Sequence, residues 1–264
     1  MSRISQKFKA LKKEGKSALV VFITAGYPSL GDTEKLAVEF AKKGADIIEL
    51  GVPFSDPLAD GPIIQLSSAS ALAKKTNLDG ILKSVRNIRK YTDVPICLMS
   101  YYNPIFCFGE EKFVKLAKSY GVDGVIVPDL PVEEARTLIK YSRKYKLDTV
   151  FFLSPTSSLN RVKLISKFSK GFIYYVSLTG VTGPRQKMPE DLRNNIRLIK
   201  KYSKVPVCAG FGISSASQVE EIQKIADGVI VGSAVISKIK ENIGRKDMVK
   251  RTGDFIACLK GHRV

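Results

Sequence analysis

The 264 residues are 44% hydrophobic and 26% charged, enough apolar content for one large α/β unit or two small ones with a sizeable core. The net charge of +18 comes from 43 Lys and Arg against 25 Asp and Glu, but the cations recur on many polar helix faces ("AKKGAD", "YSRKYK", "IRLIKKYSK"), which argues against a specific nucleic-acid binder. No apolar run reaches the eighteen residues of a membrane-spanning helix, so no membrane role is expected.

The chain opens with "MSRISQKFKALKKEGK", which lacks the apolar stretch of a signal peptide and places Ile4, Phe8 and Leu11 on one face of a helix. A first strand is expected in "LVVFITAG" (Leu19–Gly26), then a helix in "DTEKLAVEFAKKGAD", with an acidic first turn and a stop at Gly44. "IIELGVP" (Ile47–Pro53) reads as the second strand. The connection after it, Ile63–Tyr91, is too long for one helix and leaves room for an extra one. Further strands are expected in "PICLMSYY" (Pro95–Tyr102), "GVIVPDLP" (Gly124–Pro131) and "TVFFLSP" (Thr149–Pro155). "FIYYVS" (Phe172–Ser177), "VPVCAGFG" (Val205–Gly212) and "GVIVGSA" (Gly228–Ala234) complete eight. Between them "EEKFVKLAKSYGVD", "PVEEARTLIKYSRKY", "PEDLRNNIRLIKKYS" and "SSASQVEEIQKIAD" carry helical periodicity, the last with serines and glutamates of capping type.

Near-continuous β-branched runs alternating with helices suit parallel strands covered on both sides. Eight such units predict an α/β protein built as a single (β/α)8 TIM barrel domain over 1–264, with an extra N-terminal helix. A doubly wound open sheet is the alternative, but its Gly-rich fingerprint is missing after the first strand, which ends in "TAGYPS".

Barrel chemistry sits at the C-terminal ends of the strands. The one histidine, His262, is two residues from the C-terminus, which sets aside imidazole catalysis and His-ligated metal. Cys97, Cys107, Cys208 and Cys258 form no CxxC pair and read as reduced core residues. No lysine lies in a strand or at its tip, where a Schiff-base aldolase would need one. Carboxylates, tyrosines and backbone donors remain. By alternation Ile47, Glu49 and Gly51 share a face opposite Ile48, Leu50 and Val52, so Glu49 is expected inside the barrel near its mouth with a raised pKa. Asp56 and Asp60 follow on a loop stiffened by Pro53, Pro57 and Pro62; aiming at a ligand and plain turn formation are both open for them. Asp129 in "VPDLP" reads as a structural helix lead-in. Three glycine clusters, around Gly180 and Gly183, Gly210 and Gly212, and Gly232 and Ser233, lie at the last three strand ends, two directly before helices, and suggest a phosphate site.

These segments together, "FITAGYPS", "IIELGVPFSDPLADGPIIQ", "MSYYNPIF", "GVIVPDLPVEEA", "GFIYYVSLTGVTG", "VPVCAGFGIS" and "GVIVGSA", resemble the tryptophan synthase alpha subunit family over essentially the whole chain. The resemblance implies a lyase of tryptophan biosynthesis that cleaves indole-3-glycerol phosphate by a retro-aldol reaction. It implies Glu49 as acid/base, Asp60 as the acceptor of the indole N–H, and Tyr174 as a substrate-contacting tyrosine counted with the catalytic set. Gly183, Gly212, Gly232 and Ser233 match phosphate-binding positions. Phe22, Tyr101, Phe211 and Thr182 match positions around the indole and the closing sixth loop. No metal and no cofactor is implied on this chain; pyridoxal phosphate belongs to a beta subunit. That partner, in an α2β2 heterotetramer, would contact Pro53, Phe54, Asp56, Asn103 and Pro104. The setting implied is the cytoplasm, or a plastid stroma for an organelle-encoded chain. Ser70 stands where many members carry arginine. A free-standing lyase that releases indole without a partner, a different phosphate-barrel enzyme such as a sugar-phosphate isomerase, and a catalytically silent barrel are the competing readings.

Overall fold

A computed structural model describes residues 1–176, 190–210 and 212–262. The chain starts with α1 (Arg3–Lys13), β1 (Ala18–Thr24), α2 (Leu30–Lys42) and β2 (Ile47–Gly51). The long second connection holds two helices, α3 (Pro62–Ala73) and α4 (Leu78–Ile88), before β3 (Ile96–Met99). Then come α5 (Tyr102–Phe108), α6 (Glu110–Tyr120), β4 (Gly124–Ile126), α7 (Arg136–Tyr145), β5 (Asp148–Val150) and β6 (Phe152–Leu153). The last third gives α8 (Leu159–Phe168), β7 (Ile173–Val176), α9 (Glu190–Tyr202), β8 (Val207–Gly210), α10 (Ala216–Gln223), β9 (Gly228–Val231), α11 (Ser233–Asn242) and α12 (Met248–Leu259).

All strand pairs are parallel, in the order β5-β4-β3-β2-β1-β9-β8-β7-β6. The two ends of that order, β5 and β6, are halves of one run broken at Phe151, so the sheet closes on itself and the eight expected strands make the barrel. The helix expected from Pro131 onward begins only at Arg136, after a turn over 132–135. In α10 the anticipated capping is present as a full box, Ser215 and Gln218 each closing on the other's backbone N–H.

Two apolar layers follow from the period of two along each strand. Ile48, Leu50, Ile96 and Leu98 face the helices. Ala18, Val20, Ile47, Cys97, Ile126, Val150, Phe172, Cys208 and Ile230 fill the barrel interior. Ile4, Phe8 and Leu11 of α1 join that inner set and plug the foot of the barrel, with the Phe8 ring 6.1 Å from Phe172. Cys97 and Cys208 are buried as expected, whereas Cys107 and Cys258 are exposed, each on the solvent side of an amphipathic helix.

A repeated acid anchors the foot. Asp46, Asp123 and Asp227 each precede a strand and accept the N–H of a neighbouring strand: Leu19 at 2.9 Å, Ile96 at 3.0 Å and Val207 at 2.9 Å. Each also meets a cation, Lys260, Arg89 and Lys200 respectively. The arrangement satisfies backbone donors that the first turns of parallel strands leave open. Among the described residues no helix is long and apolar enough to cross a membrane.

Candidate active site

The mouth of the barrel is built by the ends of β1, β2, β3 and β7 and by the loop from β2 to α3. Glu49 lies on the inner face of β2, level with Phe22 on one side and Cys97 on the other. It is fully buried, and neither carboxyl oxygen has a hydrogen-bond partner among the described residues. Burial, and then the charge of Asp60, raise its pKa to about 8. A buried, unpaired acid is costly, and here it is kept as the neutral acid at neutral pH.

Asp60 hangs over the same space from a loop stitched to its own backbone. Leu58 N–H donates to Asp56 O at 3.0 Å, Asp60 N–H to Pro57 O at 3.1 Å, and the Gln65 side chain to Asp60 O at 2.8 Å. Tyr101, at the tip of β3, accepts the Ala59 N–H at 2.9 Å and stacks on Phe54 with ring centroids 5.2 Å apart. Burial raises the Asp60 pKa, and a hydrogen bond from Tyr101 opposes the rise. The two carboxyls therefore differ in environment, one dry and unpartnered, one partly wet and hydrogen-bonded, which is how a pair divides acid and anion roles.

A small cavity bordered by Asp60 is lined as well by Phe22, Thr24, Gly51, Val52, Ile64, Ser68, Met99, Ser100 and Tyr101. Sequence reasoning missed Thr24, Ser68, Met99 and Ser100 here, and Ser67, whose hydroxyl meets that of Thr24 at 2.6 Å. Ser67 and Ser68 are buried hydroxyls on the inward side of α3, a burial that the sequence does not show. Gly51 leaves the space that Phe22 occupies, since a Cβ there would stand 2.6 and 2.7 Å from the ring. Gly51→Ala is expected to cost about 1–3 kcal/mol of stability by overpacking. By displacing Phe22 it should also raise KM for the substrate roughly tenfold. Urea denaturation and steady-state kinetics check the two effects, and an unchanged KM would show that the Phe22 ring is not a wall of the substrate pocket.

Tyr174 points into the barrel from β7, 4.8 Å from the Phe152 ring and 6.5 Å from that of Phe172. Burial, then the Glu49 charge, push its phenol well above the usual range, so it stays a neutral O–H. Gly210 gives it room, as a Cβ there would lie 3.1 Å from the hydroxyl.

Gly212, Ser214, Ser233 and Ala234 share a second groove with Ile63, Ser237, Lys238, Glu241 and Phe255. Gly232 is the N-cap of α11, so Ser233 and Ala234 open that helix toward the groove, a setting that favours an anion. Gly232 also lies against Phe22, a residue of the first cavity, at 3.2 Å for a Cβ. Thr182, Gly183 and Phe211 lie outside the described residues.

Of the expected partner-contact residues, Asp56 and Asn103 are exposed, Phe54 and Pro104 half-buried, and Pro53 is buried. Beside them Leu58 is 94% and Phe106 64% exposed, an apolar pair that sequence reasoning did not single out. Asp129, expected as the lead-in to the helix that follows it, instead accepts the Tyr102 N–H at 2.9 Å at the start of α5. Among the described residues no cluster of His, Cys, Asp and Glu could hold a metal ion.

A family described as "Tryptophan synthase alpha chain" matches residues 8–260. Tryptophan synthase alpha chains of Geobacter sp. (strain M21) and Caldanaerobacter subterraneus subsp. tengcongensis are 47% and 44% identical over 260 residues. The matches span 98% of this chain and 97% and 99% of theirs. The crystal structure of tryptophan synthase subunit alpha from Legionella pneumophila str. Paris superimposes with a TM-score of 0.92 at 37% identity, over 99% of this chain and 98% of that one.

Proposed function

The chain belongs to the tryptophan synthase alpha chain family, and from that premise we propose how its own residues carry the reaction. The family's reaction cleaves indole-3-glycerol phosphate into indole and glyceraldehyde 3-phosphate, a carbon–carbon lyase step. Glu49, neutral at pH 7, gives its proton to indole C3 and makes the ring an electron sink. The positive charge that develops on the indole nitrogen is held by Asp60, which accepts the N–H. Glu49, now a carboxylate, takes the proton of the hydroxyl on the carbon attached to C3. The C3–carbon bond breaks, its electron pair returns to the ring, and the hydroxyl carbon leaves as the aldehyde. Glu49 ends protonated, as it began.

The single observation that carries this reading is Glu49 itself, fully buried and unpartnered beside a second carboxyl. Tyr174, as a neutral donor over the same space, contacts the substrate's glycerol portion. Phe22 and Tyr101 flank the indole. Gly212, Gly232 and Ser233 take the phosphate through the α11 N-terminus, with Gly183 from the sixth loop. Pyridoxal phosphate belongs to the beta chain, and this family does not need it. The beta subunit is the partner the family implies. An α2β2 assembly would seat it on the β2–α3 loop and α5, where Asp56, Asn103, Leu58 and Phe106 are exposed.

The purified chain, given indole-3-glycerol phosphate, is expected to release indole and glyceraldehyde 3-phosphate, and Asp60→Asn to lower kcat by about 10²–10³. An Asp60→Asn protein that folds and turns over at the wild-type rate would remove Asp60 from the mechanism.

A further inference from the structure

The β2–α3 loop carries Asp60 at the mouth but is not itself part of the barrel wall, so something must hold its carboxylate in place. Its internal hydrogen bonds run from backbone to backbone, from Ser55 to the Asp56 carboxylate and from Gln65 to the Asp60 carbonyl, and none of them holds the Asp60 carboxylate. Among the described residues, the side chain that hydrogen-bonds from the wall into the loop is Tyr101. It is buried at 4% exposure, stacks on Phe54 at the loop's start, and accepts the Ala59 N–H one residue before Asp60. A phenol oxygen that accepts from Ala59 still has its own O–H to give, and the Asp60 carboxylate is the acceptor in reach.

We propose that Tyr101 is the positioning residue for Asp60: anchored on Phe54 and Ala59, its hydroxyl donates to the carboxylate and holds it, ionised, toward the indole nitrogen. The proposal rests on the role given to Asp60 above. It assigns Tyr101 more than a place in the pocket wall, since the residue acts on charge as well as on shape. Tyr101 is also the N-cap of α5, so the group that holds Asp60 is fixed to the segment bearing Asn103 and Pro104.

The electrostatics give the role a readout. The titratable groups facing Asp60 are Glu49 from β2, Tyr101 from the β3 tip and Tyr174 from β7, with Asp129 beyond Tyr101. Glu49 and Tyr174 are neutral at pH 7, so Tyr101 is the group among these that favours the Asp60 anion. A hydrogen bond to the charged form keeps a carboxyl pKa down, and its loss lets the pKa rise.

The test is Tyr101→Phe, which keeps the ring on Phe54 and removes only the hydroxyl, beside Tyr101→Leu and Asp60→Asn. Each is measured for thermal unfolding and for kcat and KM across pH, with indole-3-glycerol phosphate as substrate. Tyr101→Phe is expected to lower kcat about tenfold at pH 7 with KM changed less than threefold. The acid limb of its kcat/KM profile should move up by about one pH unit, and Asp60→Asn should lack that limb. Tyr101→Leu should add a rise in KM. An unmoved acid limb in Tyr101→Phe, with Asp60→Asn strongly impaired, would overturn the positioning role and leave the Asp60 assignment standing. A fully active Asp60→Asn would instead overturn the assignment beneath it.

Discussion

Glu49→Gln is expected to lower kcat by about three orders of magnitude and, above neutrality, to make the fold more stable than the wild type. The loss of activity follows from the proposed role of Glu49 as the acid that protonates C3; general acid–base catalysis is worth about 10²–10⁴, and in that proposal the same group acts twice in the cycle. The gain in stability follows from burial without a partner. The Glu49 carboxyl ionises near 4.5 when the chain is unfolded and at about 8 when folded. Between those values the unfolded chain has lost a proton that the folded chain retains, so stability falls as pH rises from 4.5 to about 8 and levels off above it. The penalty at the plateau is at most about 5 kcal/mol. An amide of the same shape does not titrate, so in urea denaturation Glu49→Gln should lose less stability across this window than the wild type, the difference being the share of Glu49. Parallel profiles would place the Glu49 pKa near its ordinary value and undo the account of the acid form. The same pKa sets the alkaline limit of activity. Because the resting enzyme must hold the proton, kcat/KM of the wild type is expected to fall above pH 8.

Asp123→Ala is expected to destabilise the chain by about 3–5 kcal/mol while leaving the kcat of the folded fraction unchanged. The Asp123 side chain is fully buried at the foot of the barrel. It accepts Arg89 at 2.7 Å, Arg3 at 3.2 Å and the Ile96 N–H at 3.0 Å. Its removal leaves Arg89, whose side chain is only 11% exposed, with backbone carbonyls but no counter-charge, leaves a strand amide unpaired, and loosens the plug helix held through Arg3. A domain's whole stability is about 5–15 kcal/mol, so the variant stands near the threshold of folding. Asp123→Asn keeps an acceptor for the Ile96 N–H but not the charge, and should lie between the two. Chemical denaturation measures both variants; a loss under 1 kcal/mol for Asp123→Ala would show that water or a shifted cation replaces the carboxylate readily. Activity should survive because Asp123 caps the opposite end of the barrel from Glu49, next to Ile96 rather than at the β3 tip.

The two sites were unequally legible. Glu49 stood out because an acid amid "IIELGVP" breaks a pattern of burial, and period-two alternation alone decides that it faces inward. Asp123 looked like any turn aspartate in "YGVDGVI". Its importance depends on Arg89 and Arg3, which are 34 and 120 residues away. Thr24, Ser67 and Ser68 were passed over for the same reason: a hydroxyl becomes a pocket group only when β1 and α3 are brought side by side. Leu58 and Phe106 gave no signal, because an exposed apolar residue looks in sequence like a core one. Pro53, expected at the partner surface, is buried.

The sequence by itself determined the strand count, the inward face of the second strand, the amphipathic first helix and the acid buried on that inward face. These rest on periodicity and on the cost of burying charge, both of which act over a few neighbouring residues. Only the tertiary structure decided the split of the fifth strand at Phe151, the acid-to-amide anchors at the foot, the hydroxyl-lined cavity and the hold of Tyr101 on the loop that bears Asp60. All but the first of those join residues from separate βα units. Such contacts exist only once the barrel has closed and set its register, which no local pattern encodes.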